Sequence, residues 1–216
     1  MPLGSSGDVR PAFVNCETAL GQALIAMFRS LENELIAEGA PPGALVVFIF
    51  GGCAVHLYTN HRVSTDVDAE FFEVAVPSNL NIRQSLTLAP PRKFVDGALG
   101  RVMELSYDLQ FTAGLGPLHE DYLERGVSLK AFPSDSPLQV MIASPVDLAI
   151  SKLGRGTDQD ISDIFALLRT GFILASDFER LALDAIDCYV GNHEPPTSIL
   201  RNILQDYLEP PHGESS

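Results

Sequence analysis

Basic residues are scarce in this sequence: 14 Lys and Arg stand against 28 Asp and Glu, a formal net charge of −14. Such a chain has no overall attraction for nucleic acid or an anionic membrane, so any RNA contact has to come from a local patch of a few arginines. Cysteine is scarce too. Cys16, Cys53 and Cys188 are too few and too widely spaced for a disulfide framework or a zinc site, which fits a reducing cytoplasm. No stretch reaches the roughly 20 apolar residues that span a bilayer. The start, residues 1–8, shows neither the basic region nor the apolar core of a signal peptide, so the expected location is cytoplasmic, with no membrane partner. No internal repeat is visible. What remains is a 216-residue chain with 46% hydrophobic residues. A chain of this size buries about 70% of its unfolded surface, in one large domain or two small ones.

One stretch organises the rest. Phe48-Ile49-Phe50-Gly51-Gly52-Cys53-Ala54-Val55-His56-Leu57-Tyr58 runs from an apolar strand through a double-glycine turn into a short helix. Arg62-Val63-Ser64-Thr65-Asp66-Val67-Asp68-Ala69 then leads into a second strand. Strand side chains alternate faces, so Asp66 and Asp68 point the same way and Val67 and Ala69 the other. Two neighbouring carboxylates repel each other, and a hard cation such as Mg²⁺, shared with substrate phosphates, removes that cost. Gly51 and Gly52 allow a sharp turn and a close backbone approach, and the following helix aims its N–H groups at an anion.

The order apolar-Gly-Gly followed, after thirteen residues, by Asp66-Val67-Asp68-Ala69 resembles the signature of the DNA polymerase β-like nucleotidyltransferase superfamily. Within it, the Gly-Gly-x-Ala-Val-x-Leu-Tyr and Arg-x-x-Thr-Asp-x-Asp versions are similar to small bacterial nucleotidyltransferases of toxin–antitoxin and abortive-infection type. The resemblance implies metal ligation by Asp66 and Asp68 and nucleotide binding by Gly51, Gly52, Arg62 and Thr65. It also requires a third carboxylate on a neighbouring strand. The alternating run Arg101 to Phe111 offers Asp108 and Glu104 on one face; Asp108 is preferred because it lies deeper in the run, and both also read as solvent-facing positions of an edge strand.

A second block, Ser144 to Leu153 followed by Arg155 and Asp158 to Ile164, is similar to the part of these enzymes where a lysine on one helix and an aspartate at the start of the next complete the site. The match falls on Lys152 and Asp160. A lysine serves a triphosphate as a compact point charge. The plainer readings are a surface lysine at a helix end and the acid of a capping box, and on either reading, plain or functional, Lys152→Ala is expected to cost little stability. The implied chemistry is Mg²⁺-dependent transfer of a nucleoside monophosphate from an NTP to an RNA end, tRNA above all, by a toxin with a cognate antitoxin partner. Two rivals stand beside it: an enzyme of the same fold that modifies a protein acceptor, and a catalytically silent binding module.

The expected fold is α/β: a mixed sheet of about five strands with the Asp66–Asp68 strand near its centre, helices packed on it, and a C-terminal helical region. The expected divisions are a flexible tail (1–10), a nucleotidyltransferase core (11–143), a helical region (144–208) and a second tail (209–216). The first helix is expected over Asn15 to Glu38 with Gly39 as its stop, and the last two over Ser176 to Val190 and Thr197 to Leu208. Val127 to Ala131 and Leu138 to Ala143 read as a hairpin, while the proline-marked stretch from Pro77 to Pro91 is placed only loosely. His119-Glu120-Asp121 reads as a solvated loop rather than a metal site.

Overall fold

Five consecutive apolar residues, Leu45–Ile49, form strand β1, and four of the five are buried because both faces of the strand are covered. In a computed structural model, which describes residues 13–97 and 100–209, β1 is an inner strand of a four-stranded sheet. Its neighbours are β3 (Ala69–Glu73), antiparallel, and β7 (Leu138–Ile142), parallel. The short β6 (Val127–Ser128) completes the sheet as the hairpin partner of β7. A separate three-stranded sheet consists of β2 (Asp66–Val67), β5 (Arg101–Tyr107) and β4 (Arg92–Asp96), with β5 in the middle.

The α/β class therefore stands, and the described residues form seven strands in two sheets where one sheet of about five was expected. The break falls at Asp68. Up to Val67 the chain pairs with β5, and from Ala69 it pairs with β1. The Asp66–Asp68 segment is accordingly not central in either sheet: β2 and β3 are both terminal strands, and the central position belongs to β1. The expected tails, 1–10 and 209–216, lie outside the described residues apart from Glu209.

Helix α1 (Ala19–Ala37) is capped by Thr18, whose hydroxyl accepts the Gly21 N–H, and it ends ahead of Gly39 in the left-handed region (φ 70°). It buries Leu20, Leu24, Phe28, Leu31 and Leu35 and packs on β4 and β7. Helix α2 (Gly51–Thr59) follows β1 directly and is buried from Gly52 to Tyr58. The loosely placed stretch holds α3 (Ile82–Leu88), capped by Asn81, and β4 follows it directly. Four helices close the chain: α4 (Pro145–Lys152), α5 (Asp158–Arg169), α6 (Ala175–Asp187) and α7 (Glu194–Leu208). Helices α4 and α5 pack against α2, and one apolar core runs from α1 to α7. All three cysteines are free. No helix among the described residues is long and apolar enough to cross a membrane.

Candidate active site

The two glycines after β1 do different things. Gly51 has φ 62°, a conformation that L-residues rarely adopt, and a Cβ there would sit on the Asp68 Oδ2. The Phe50 N–H donates to the Asp68 carbonyl at 2.8 Å, so the end of β1 and Asp68 lie side by side. Gly52 is different. Its Cβ position lies 2.8 Å from both Nη atoms of Arg62 and from the Ser64 Oγ. Gly51 thus leaves room for a carboxylate and Gly52 for a guanidinium.

Alternation along the strand holds, with Val67 and Ala69 buried and the two aspartates on the other face. Asp66 is exposed and Asp68 half-buried. Asp108 stands just past the end of β5, where its N–H donates to the Val67 carbonyl at 3.1 Å. Burial raises the pKa of Asp68, and the charges of Asp108 and Asp66 raise it further against the pull of Arg155 and Lys152. Glu104 is elsewhere on β5, exposed and paired with Lys93 at 3.4 Å, so Asp108 is the carboxylate that joins Asp68.

Gly51, Asp68 and Asp108 share a cavity of about 210 Å³ with Ser151, Lys152 and Arg155. Gly52, Arg62, Thr65, Asp66 and Asp160, although expected at the site, are not part of its wall. Thr65 acts through its backbone, its carbonyl accepting the Ser106 N–H. The volume is below the ~300–1,000 Å³ usual for a complete ligand pocket and suits the phosphate end of a nucleotide. Among the described residues, no group of three or more His, Cys, Asp or Glu could hold a metal. A pair of mutually repelling carboxylates beside a bare glycine nevertheless fits Mg²⁺, which takes one or two carboxylates and completes its shell with phosphates and water.

Lys152 is no surface lysine. It is 3% exposed, and its Nζ lies 2.7 Å from the Asp163 Oδ2 and 3.3 Å from the Asp160 Oδ1. Asp163 also receives the Arg62 Nε and Nη2, both at 2.9 Å, and the Gln159 amide at 3.1 Å. Asp160 has the capping role that the sequence offered, together with partners in the cation cluster. Its carboxylate closes a capping box with Thr157, and it also accepts from Lys152 and, at 2.7 Å, from Arg155. The Arg155 side chain is 74% exposed and is the readily accessible cation of the cavity wall. Sequence reasoning passed over Asp163 and assigned Arg155 no role. The signal for Asp163 was its place three residues after Asp160, on the same face of α5.

These ion pairs fix a pH dependence. Burial pushes Asp160 and Asp163 up, but hydrogen bonds from Arg155 and Thr157 to the one, and from Arg62 and Lys152 to the other, outweigh it, and both pKa values lie below the ordinary carboxylate value. Their stabilising contribution is therefore full above the unfolded pKa of about 3.9 and is lost as the pH falls through the lower folded values. Asp68 has the opposite sign, because protonating a carboxyl of raised pKa relieves a penalty. Thermal melts are expected to hold or rise slightly from neutral pH to about 5 and to fall steeply below about 4. Asp163→Asn is expected to flatten the acid limb, and a fall already complete by about pH 5 contradicts the assignment.

No curated protein matches this sequence. A family model does, over residues 22–194, a span that contains both glycines, Asp66, Asp68 and Asp108, and the Lys152–Asp160–Asp163 cluster. The chain belongs to the family described as nucleotidyltransferase of unknown function (DUF6036).

Proposed function

We propose that the chain transfers a nucleoside monophosphate from a nucleoside triphosphate to a hydroxyl acceptor, with Mg²⁺ as cofactor. One observation carries this: Asp68 and Asp108 meet beside the bare Gly51 in a cavity whose wall also holds Lys152 and Arg155. Asp68 and Asp108 would hold the cation, while Asp66 is exposed and outside the cavity wall. When bound, Mg²⁺ supplies charge neutralisation for the triphosphate and activation of the acceptor oxygen. Arg155 reaches the phosphates directly. Lys152, held by Asp160 and Asp163, adds a fixed positive charge at the cavity wall. Asp163 and Arg62 keep that lysine in place, so their part is positioning.

The acceptor we propose is an RNA end, tRNA in particular, as the similarity to toxin enzymes implies, with an antitoxin as cognate protein partner. A protein acceptor is the second reading. It is favoured by the net charge of −14 and by a cavity wall with one exposed cation, since RNA affinity rests on several phosphate contacts. The test is incubation of the protein with each labelled NTP, Mg²⁺ and either total tRNA or cell extract. Label on RNA is the expected result, and label on a protein selects the second reading. Equal labelling by wild type and Asp68→Asn, or none by either, contradicts the proposal.

A further inference from the structure

A second cavity, of about 730 Å³, has no lining residue in common with the candidate site. It lies between the first turn of α1, the end of α2 with the loop after it, the β4–β5 hairpin and the start of α5. Its size falls within the ~300–1,000 Å³ typical of small-molecule sites. Its charge runs against that of the chain. Among the described residues that line it, Arg62 and Arg101 stand against one carboxylate, Asp96, in a protein with a net charge of −14.

The lining groups have distinct duties. Both ring nitrogens of His56 are engaged, one with the Arg62 carbonyl at 2.8 Å and one with the Thr18 hydroxyl at 2.9 Å, so this histidine ties α2 to α1 and the loop. Arg101 is exposed and opens β5, in register with Asp96 of β4. Leu20, Phe94 and Met103 supply apolar wall. Guanidinium groups suit phosphate recognition, and an apolar wall suits a flat ring.

We infer that this cavity is a second binding site, for a phosphorylated small molecule of nucleotide size. The phosphate meets Arg101 and the ring lies against Phe94 and Met103. Arg62 and Gln159 line this cavity and also hold Asp163, the partner of Lys152. An anion that competes for Arg62 therefore draws it from the cluster that fixes the lysine. The inference does not depend on the proposed transfer reaction.

Calorimetric titration without Mg²⁺, using AMP and inorganic phosphate as probes, tests it on the wild type, Arg101→Glu and Arg155→Glu. AMP is expected to bind the wild type and Arg155→Glu alike, and Arg101→Glu more weakly by roughly tenfold or more. Inorganic phosphate alone is expected to bind more weakly than AMP. Arg101→Ala gives the same direction if the charge reversal impairs folding. Absence of AMP binding at millimolar concentration, equal binding by the Arg101 variants, or phosphate binding as tight as AMP overturns the inference. So does loss of AMP binding in Arg155→Glu with Arg101→Glu unaffected, which places the nucleotide in the candidate site.

Discussion

Lys152→Ala is expected to destabilise the protein by roughly 3 kcal/mol or more, the cost of breaking a buried ion pair from one side. Lys152 is 3% exposed, and its two partners, Asp160 and Asp163, are 1% and 0% exposed, so no water replaces the lost ammonium. Arg62 and Arg155 still hold the two carboxylates, which keeps the loss toward the lower end of the range. A lysine merely placed at a helix terminus would contribute at most about 1 kcal/mol. Urea unfolding decides between the two: the midpoint is expected to fall with the slope unchanged, and a loss below about 1 kcal/mol contradicts the buried cluster. Activity lost in this variant mixes chemistry with folding. Arg155→Ala separates them better, because its side chain is 74% exposed and its buried partner Asp160 keeps Lys152 and Thr157. Turnover of that variant is expected to drop while its melting temperature barely moves.

Gly51→Ala is expected to reduce nucleotide turnover by orders of magnitude. An alanine at φ 62° carries about 1–2 kcal/mol of backbone strain. Its methyl would also occupy the space of the Asp68 Oδ2, so the carboxylate has to leave its place beside Asp108. Gly52→Ala provides the contrast. Gly52 has no left-handed φ, and its methyl would meet the ends of two side chains, Arg62 and Ser64, which can move. The milder effect is expected there, felt through the Arg62–Asp163 pair. Turnover and melting temperature measured on both variants check this, and a silent Gly51→Ala beside an inactive Gly52→Ala reverses the roles given to the two glycines.

The parts of this site that a sequence displays are those with a local pattern. Glycine after an apolar strand, the alternation of Val67 with two aspartates and the capping box at Thr157 each depend on neighbours a few residues away. That is why α1, β1, α4 and α5 were anticipated to within a few residues. Asp108, preferred over Glu104 in the alternating run, lies just past the end of β5 on the cavity wall with Asp68. What pairing alone decides was not. The partner of Asp66–Val67 is β5 and that of Ala69–Glu73 is β1, so the chain changes sheets at Asp68 with no local mark of the change. The burial of Lys152 was hidden for the same reason, since Asp163 lies eleven residues on and Arg62 joins from another element. The helix α3 falls in a polar, proline-marked stretch whose amphipathic pattern is short, and β4 begins just past its last proline.

Asp68 and Asp108 are proposed as a cation site for a nucleotide rather than as structural groups. Equilibrium binding of a non-hydrolysable NTP to wild type and Asp68→Asn, with and without Mg²⁺ and with the melting temperature of each ligand-free protein, tests it most directly. Asp68 is held in the fold against its own burial and the Asp108 charge. The account therefore predicts that ligand-free Asp68→Asn melts at or above the wild-type temperature and loses Mg²⁺-dependent NTP binding. A variant that melts clearly lower and still binds NTP with the wild-type dependence on Mg²⁺ would contradict it.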